Sequence, residues 1–148
     1  MATSDNSQKN KPVGLIIVTH GDYGSGLLRA AEFITGDIQD CVSIPVDANF
    51  IAEESVARLK EAATRLNTGA GVLILTDMFG GTPTNVSLAL MNESADIDVI
   101  TGVNLPMLLR VLSNRNLPLE EVSKLAYEAG LEGIVAAGQI LKAKAPAK

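Results

Sequence analysis

The chain has 148 residues, with 12 Lys and Arg against 17 Asp and Glu, a net charge of -5, and 47% apolar residues of which few are aromatic. A domain of this size buries roughly two-thirds of its unfolded surface, so an aliphatic core of Val, Ile, Leu and Ala needs no crosslink to hold it. One His (His20) and one Cys (Cys41) exclude an internal disulfide and a zinc site built from several His and Cys ligands, and the acidic balance argues against nucleic acid as the main partner.

Residues 1–12 read as a polar, flexible tail closed by Pro12. They lack the apolar core of a secretory signal. No later run approaches the roughly 18 apolar residues of a membrane span, so a soluble cytoplasmic protein is expected. Val13–Thr19 is short, β-branched and apolar at every second and intervening position, as in a parallel strand buried on both faces. Leu27, Ala31 and Ile34 share one face of a helix that Gly36 stops. Cys41–Val46 is a weaker strand, and Pro45 places it near a sheet edge. Ala52, Val56, Leu59, Ala63 and Leu66 form a 4-3-4-3 helical stripe, with Glu54→Arg58 and Glu61→Arg65 at i,i+4 on the outer face.

Residues 71–76 repeat the character of the first strand. Thr82-Pro83 reads as an N-cap with Pro at the first helical position, opening a helix through Val86, Ala89 and Leu90. Ile97–Thr101 is the fourth strand, and Asn104 caps a helix carrying Leu105, Leu108, Leu109 and Leu112. The next helix starts near Pro118, uses Leu119, Val122, Leu125 and Ala126, and stops at Gly130. The segment 133–138 could continue a helix or form a fifth, short strand, with the strand favoured. Residues 142–148 have the composition of a linker or frayed tail. Strand–helix alternation of this kind predicts an α/β fold, a doubly wound, mostly parallel sheet of four strands covered by helices on both faces.

In such sheets ligands gather beyond the carboxyl ends of the strands, where helix N-termini also point. His20 follows the first strand there. Asp77 through Pro83 follow the third, and Gly102, Val103 and Asn104 the fourth. A neutral imidazole offers one ring nitrogen as a nucleophile when the other holds the proton, and a carboxylate accepting that N–H fixes the tautomer. Asp77 is the candidate for this partner. Backbone amides at Gly80, Gly81 and Thr82, with the Thr82 hydroxyl, could receive a phosphoryl group. Each feature also has an ordinary structural reading. A strand-end His can simply face solvent, Asp77 can cap a turn, and Gly80-Gly81-Thr82-Pro83 can be a turn into a helix. Cys41 reads as a small buried hydrophobe. The Gly-rich stretch 21–26 lacks the Lys-Ser/Thr ending of a phosphate-binding loop and does not fit GxGxxG.

Five segments carry a specific resemblance: VGLIIVTHG at 13–21, ITG at 34–36, LILTDMFGGTPTNVSLAL at 73–90, VITGVNLPMLLRVL at 99–112 and AYEAGLEGI at 126–134. Together they resemble the mannose-type IIA domain of the bacterial sugar phosphotransferase system over residues 13–141. The resemblance implies a phosphocarrier without metal or cofactor. His20 would be phosphorylated on Nε2 by phospho-HPr, itself charged by Enzyme I from phosphoenolpyruvate, and would pass the phosphoryl group to a IIB component. It further implies that Asp77 pairs with the ring, that Thr82 helps hold the phosphoryl group, and that membrane IIC and IID permease components choose the sugar and keep the chain peripheral to the membrane. A homodimer exchanging a C-terminal edge strand is also implied, which favours the strand at 133–138.

Met78 and Phe79 could meet the protein partners, or could be ordinary turn packing. Many relatives continue through an Ala/Pro-rich linker into IIB, so a separate IIB chain, or none, is expected here. Asp22, beside the His, stands where some relatives carry a bulky apolar residue, which puts partner docking in question. Rival readings are a regulatory phosphoprotein that senses phosphorylation state without transport, and the phosphoryl-donor subunit of dihydroxyacetone kinase.

Overall fold

A computed structural model describes residues 11–47, 49 and 52–146. The expected tail at 1–12 falls almost wholly outside the described residues. The elements run β1 (Gly14–His20), α1 (Tyr23–Thr35), β2 (Cys41–Val46), α2 (Ala52–Leu66), β3 (Val72–Thr76), α3 (Thr82–Glu93), β4 (Ile97–Thr101), α4 (Leu105–Leu112), α5 (Leu119–Glu132) and α6 (Ala137–Lys144).

The four strands are parallel in the order β2-β1-β3-β4. The chain therefore steps from β1 outward to β2, returns past β1 to β3, and continues to β4. Right-handed crossovers then force α1 onto one face and α2 and α3 onto the other. Side-chain alternation along β1 shows the two faces. Ile16 and Val18 pack with Leu59, Ala62, Ala63, Leu66, Val86 and Leu90 of α2 and α3. Leu15 and Ile17 pack with Ala31 of α1, Leu108 and Val111 of α4 and Val122 and Ala126 of α5. Apart from His20 at its end, β1 is inaccessible on both sides, as is β3, which their unbroken apolar runs require. Each fully buried Val, Leu or Ile there contributes roughly 1.5–3 kcal/mol relative to exposure.

β2 is an edge strand, as Pro45 demands. β4 is the other edge. At the amino ends of the strands Arg115, a residue the hydrophobic pattern gives no reason to single out, donates from Nε to the Val13 carbonyl at 2.7 Å and from its two terminal nitrogens to the Gln39 and Asp40 carbonyls at 2.5 and 2.8 Å. It staples the ends of β1 and β2 together at the pole opposite His20.

Several local expectations are corrected. Ile34 is 57% exposed and Ala89 is exposed, so the α1 and α3 stripes are narrower than expected. The side chain of Ala52 lies outside the described residues. Glu54–Arg58 and Glu61–Arg65 are not among the ion pairs of the described residues; Lys60–Glu93 and Lys124–Glu128 are. Exposed i,i+4 pairs are too weak to hold long side chains in one geometry.

Helix α5 passes Gly130 and ends at Gly133. Gly130 is small for packing, since a Cβ there would stand 2.6 Å from Met107 Cε. No fifth strand forms at 133–138: residues 134–136 are irregular and α6 begins at Ala137. Ladder hydrogen bonds need a neighbouring strand, and 133–138 pair with none among the described residues, whereas helix 137–144 satisfies its own backbone. Helix α6 also crosses the expected boundary between domain and tail at residue 142.

Candidate functional site

The order β2-β1-β3-β4 reverses direction between β1 and β3, and their carboxyl ends form the crevice expected at such a switch point. His20 is the last residue of β1 and Asp77 is the first residue beyond β3. The strands that hold them are hydrogen-bonded neighbours, with Val18 opposite Thr76. Side chains 57 positions apart in sequence thus meet through two rigid strands.

His20 Nδ1 lies 2.7 Å from Asp77 Oδ2, and the His20 backbone N–H donates to the same oxygen at 2.9 Å. Asp77 Oδ1 accepts from the Met78 N–H at 2.9 Å. Burial raises the carboxyl pKa, but the His20 backbone N–H, the ring and the Met78 N–H outweigh it and hold Asp77 below the ordinary carboxylate range. An ionised Asp77 accepts, so in the neutral ring Nδ1 carries the proton and Nε2 presents its lone pair. The His20 side chain is 52% accessible, whereas that of Asp77 is 13% accessible. The ring therefore reaches solvent while its partner is held in the crevice.

Gly81 lies against the ring: a Cβ there would stand 2.9 Å from His20 Cε1 and 3.4 Å from Nε2. Gly80 adopts φ +88°, a backbone that side chains other than glycine rarely take. Gly81, extended at φ −92° and ψ 171°, is the N-cap of α3, and Thr82 is the first helical residue. Thr82 is therefore not the N-cap expected from Thr82-Pro83, and its side chain is exposed at the head of the helix. The amides of Gly80, Gly81 and Thr82 have no hydrogen-bond partner among the described residues. Unpaired amides at a helix head, beside a nucleophilic nitrogen, suit an anionic group.

A match of the family model for the PTS fructose IIA component (EIIA-man) covers residues 14–126 and takes in all of these residues. The chain belongs to the EIIA-man family. It is 35% identical over 107 residues to the PTS fructose-specific EIIA component of Bacillus subtilis, covering 70% of each protein. It is 34% identical over 134 residues to the PTS mannose-specific EIIAB component of Escherichia coli, covering 89% of this chain but 40% of that protein. The chain thus spans well under half the length of its mannose-specific EIIAB relatives. The crystal structure of an EIIA from Streptococcus agalactiae superposes with a TM-score of 0.79 at 31% identity, covering 86% of this chain and 98% of that one.

Around His20 the EIIA-man chain places residues that periodicity does not reveal. Buried Thr19 Oγ1 accepts from the Gly24 N–H at 2.8 Å, capping the first turn of α1 from the end of β1. Asp22, the N-cap of α1, makes no side-chain capping bond and remains exposed. Tyr23 donates from its hydroxyl to the Val103 carbonyl at 3.2 Å, tying α1 to the β4–α4 connection. Asn104 caps α4 as expected, accepting from the Met107 N–H at 2.9 Å, and it also donates to the Gly130 carbonyl. Met78 and Phe79 are 56% and 77% exposed on the loop after β3, so they are not turn packing. Cys41, half-buried, is far from this rim; burial pushes its thiol up to about 12. No cluster of three or more His, Cys, Asp or Glu able to hold a metal occurs among the described residues. Among them, too, no helix is long and apolar enough to cross a membrane.

Proposed function

We propose that this EIIA-man chain is a phosphocarrier that accepts a phosphoryl group on His20 Nε2 from phospho-HPr and passes it to a IIB component. The observation that carries the proposal is the 2.7 Å contact between Nδ1 and Asp77 Oδ2, which in the neutral ring leaves the Nε2 lone pair at an accessible rim. The Nε2 lone pair forms the new N–P bond as the bond from phosphorus to the donor breaks, its electron pair remaining with the donor. No proton has to leave Nε2, so the step needs no general base. Positive charge that develops on the ring is met by the Asp77 carboxylate across the retained Nδ1–H. The phosphoryl oxygens are received by the amides of Gly80, Gly81 and Thr82 and by the Thr82 hydroxyl. Transfer to IIB runs the same chemistry in reverse.

Donor and acceptor are proteins, so an exposed ring suits the role better than a deep cavity. Met78 and Phe79 supply apolar contact beside it, and the adaptable Met side chain suits a surface that meets two partners in turn. The relatives' sugar specificities support a place in sugar uptake; a position on the cytoplasmic side, next to a IIC and IID permease, belongs to the same reading. A homodimer belongs to the same reading. The outer edge of β4 has no strand partner among the described residues, and Leu131, Ile134, Val135, Ile140 and Leu141 are exposed in the segment that leads away from the domain. A second copy would cover both.

The test is incubation with phosphoenolpyruvate, Enzyme I and HPr, read by intact mass. An acid-labile, single phosphoryl adduct on the native chain, lost in His20→Ala, is expected. No adduct, or one that survives the substitution, overturns the proposal. Sedimentation of a monomer at micromolar concentration would overturn the dimer.

A further inference from the structure

A buried relay of two threonines runs beneath the loop that carries Asp77. Thr76, the last residue of β3, and Thr84, in the first turn of α3, are 0% and 1% accessible. Their hydroxyl oxygens lie 2.8 Å apart, and Thr84 donates to the Met78 carbonyl at 2.6 Å. A hydroxyl has one proton to give. Thr84 spends its proton on Met78, so Thr76 must donate to Thr84, and the relay runs in one direction from strand to helix to loop.

The Met78 backbone is thereby held from both sides. Its N–H donates to Asp77 Oδ1, and its carbonyl accepts from Thr84. Asp77 lies between Thr76 and Met78, both fixed by this relay. Thr76 is anchored further by its own carbonyl, which accepts from the Gly102 and Val103 N–H groups at 2.9 Å each.

We infer that Thr84, with Thr76 behind it, is a positioning residue that sets the orientation of Asp77 toward His20 Nδ1 and of the 78–81 backbone toward Nε2. The inference rests on the phosphocarrier reading for its effect on transfer, but its effect on the ring stands by itself. Without the Thr84 hydroxyl, the Met78 carbonyl loses its donor and the buried Thr76 Oγ1 loses its acceptor, and an unmade hydrogen bond at a buried group is costly. The loop then turns to find new partners and takes the Asp77 carboxylate with it. Misplacement of a catalytic group by about 1 Å can cost on the order of a hundredfold in rate.

The single His of the chain makes the readout specific, because its imidazole N–H is the one ring proton of its kind in the spectrum. In Thr84→Val, solvent exchange of the His20 Nδ1–H, followed by NMR of His-labelled protein, should accelerate about tenfold or more, and phosphorylation by phospho-HPr should slow by about tenfold to a hundredfold. Thr84→Ser, which keeps the hydroxyl, should restore both to within about threefold. A merely structural Thr84 would lower the unfolding midpoint and leave the ring proton unchanged, and that result overturns the inference. Should Thr84→Val not fold, Thr76→Val decides. It removes the donor to Thr84 and should accelerate Nδ1–H exchange several-fold, and an unchanged exchange rate refutes the relay. If the native chain takes no phosphoryl group, the phosphocarrier reading fails, while the ring-exchange comparison still tests the positioning role.

Discussion

Replacing Asp77 by Asn keeps the size and shape of the side chain and removes one acceptor. The carboxylate accepts three contacts: from the His20 backbone N–H, from ring Nδ1 and from the Met78 N–H. An amide cannot accept all three. With its oxygen toward His20, its NH2 group meets the Met78 N–H, donor against donor. Flipped, its NH2 meets both the His20 N–H and Nδ1, and the ring can then accept only by moving its proton to Nε2, the wrong nitrogen for transfer. Either arrangement forfeits at least one hydrogen bond to a charged group, worth roughly 1.5–3 kcal/mol. At about 1.4 kcal/mol per tenfold, phosphorylation should slow by roughly tenfold to a hundredfold.

The assay is the initial rate of adduct formation from phospho-HPr, paired with chemical denaturation to check that the chain remains folded. A rate within twofold of native, in a folded protein, would refute the role of Asp77 and leave it a turn residue. The pH dependence carries the same logic. Because the folded carboxyl is held below its ordinary range, its stabilising contribution is present above that range and is lost as pH falls through the depressed value. The stability difference between native and Asp77→Asn protein should therefore be constant near neutrality and shrink only in acid.

Gly81→Ala places a methyl group 2.9 Å from His20 Cε1. The ring, being exposed, can swing away, so phosphorylation should fall by about tenfold or more while the unfolding midpoint changes little; an unchanged rate would show that the ring is free of Gly81. Arg115→Met removes one donor from each of three carbonyls at the far pole of the sheet. It should cost roughly 2–4 kcal/mol in denaturant titration yet leave the rate of the folded fraction intact, and a slowed rate in that fraction would tie the pole to the site. Burial keeps the Cys41 thiol protonated at neutral pH. Iodoacetamide at pH 8 should label it slowly in the native chain and rapidly in denaturant, by intact mass, and equal rates would contradict its burial.

The alternation of doubly apolar strands with amphipathic helices, visible along the chain, specified a parallel sheet with two covered faces. It did so because burial on both faces leaves no room for polar alternation in β1 and β3. The residues at and beyond the strand ends, His20, Asp77 and Gly80-Gly81-Thr82, were legible for the same reason: topology sends every carboxyl strand end of a parallel sheet to one rim. Helix ends were less legible, because a glycine can stop a helix or fill a tight packing position. Gly36 does the first and Gly130 the second, and only the Met107 side chain beside Gly130 distinguishes them. Likewise Thr82 and Thr84 flank one proline, and the sequence pattern singles out Thr82 while giving no sign of a role for Thr84. The fold turns Thr82 outward at the head of α3 and Thr84 inward onto the Met78 carbonyl.

Residues 133–138 mark the limit of sequence in the other direction. Their apolar composition suits a strand or a helix equally, and the choice depends on whether a neighbour supplies ladder partners. Composition alone determined that His20 would be the one imidazole available for chemistry. Tertiary structure decided which of its nitrogens is free, because that depends on a carboxylate brought 2.7 Å from Nδ1 by the pairing of β1 with β3.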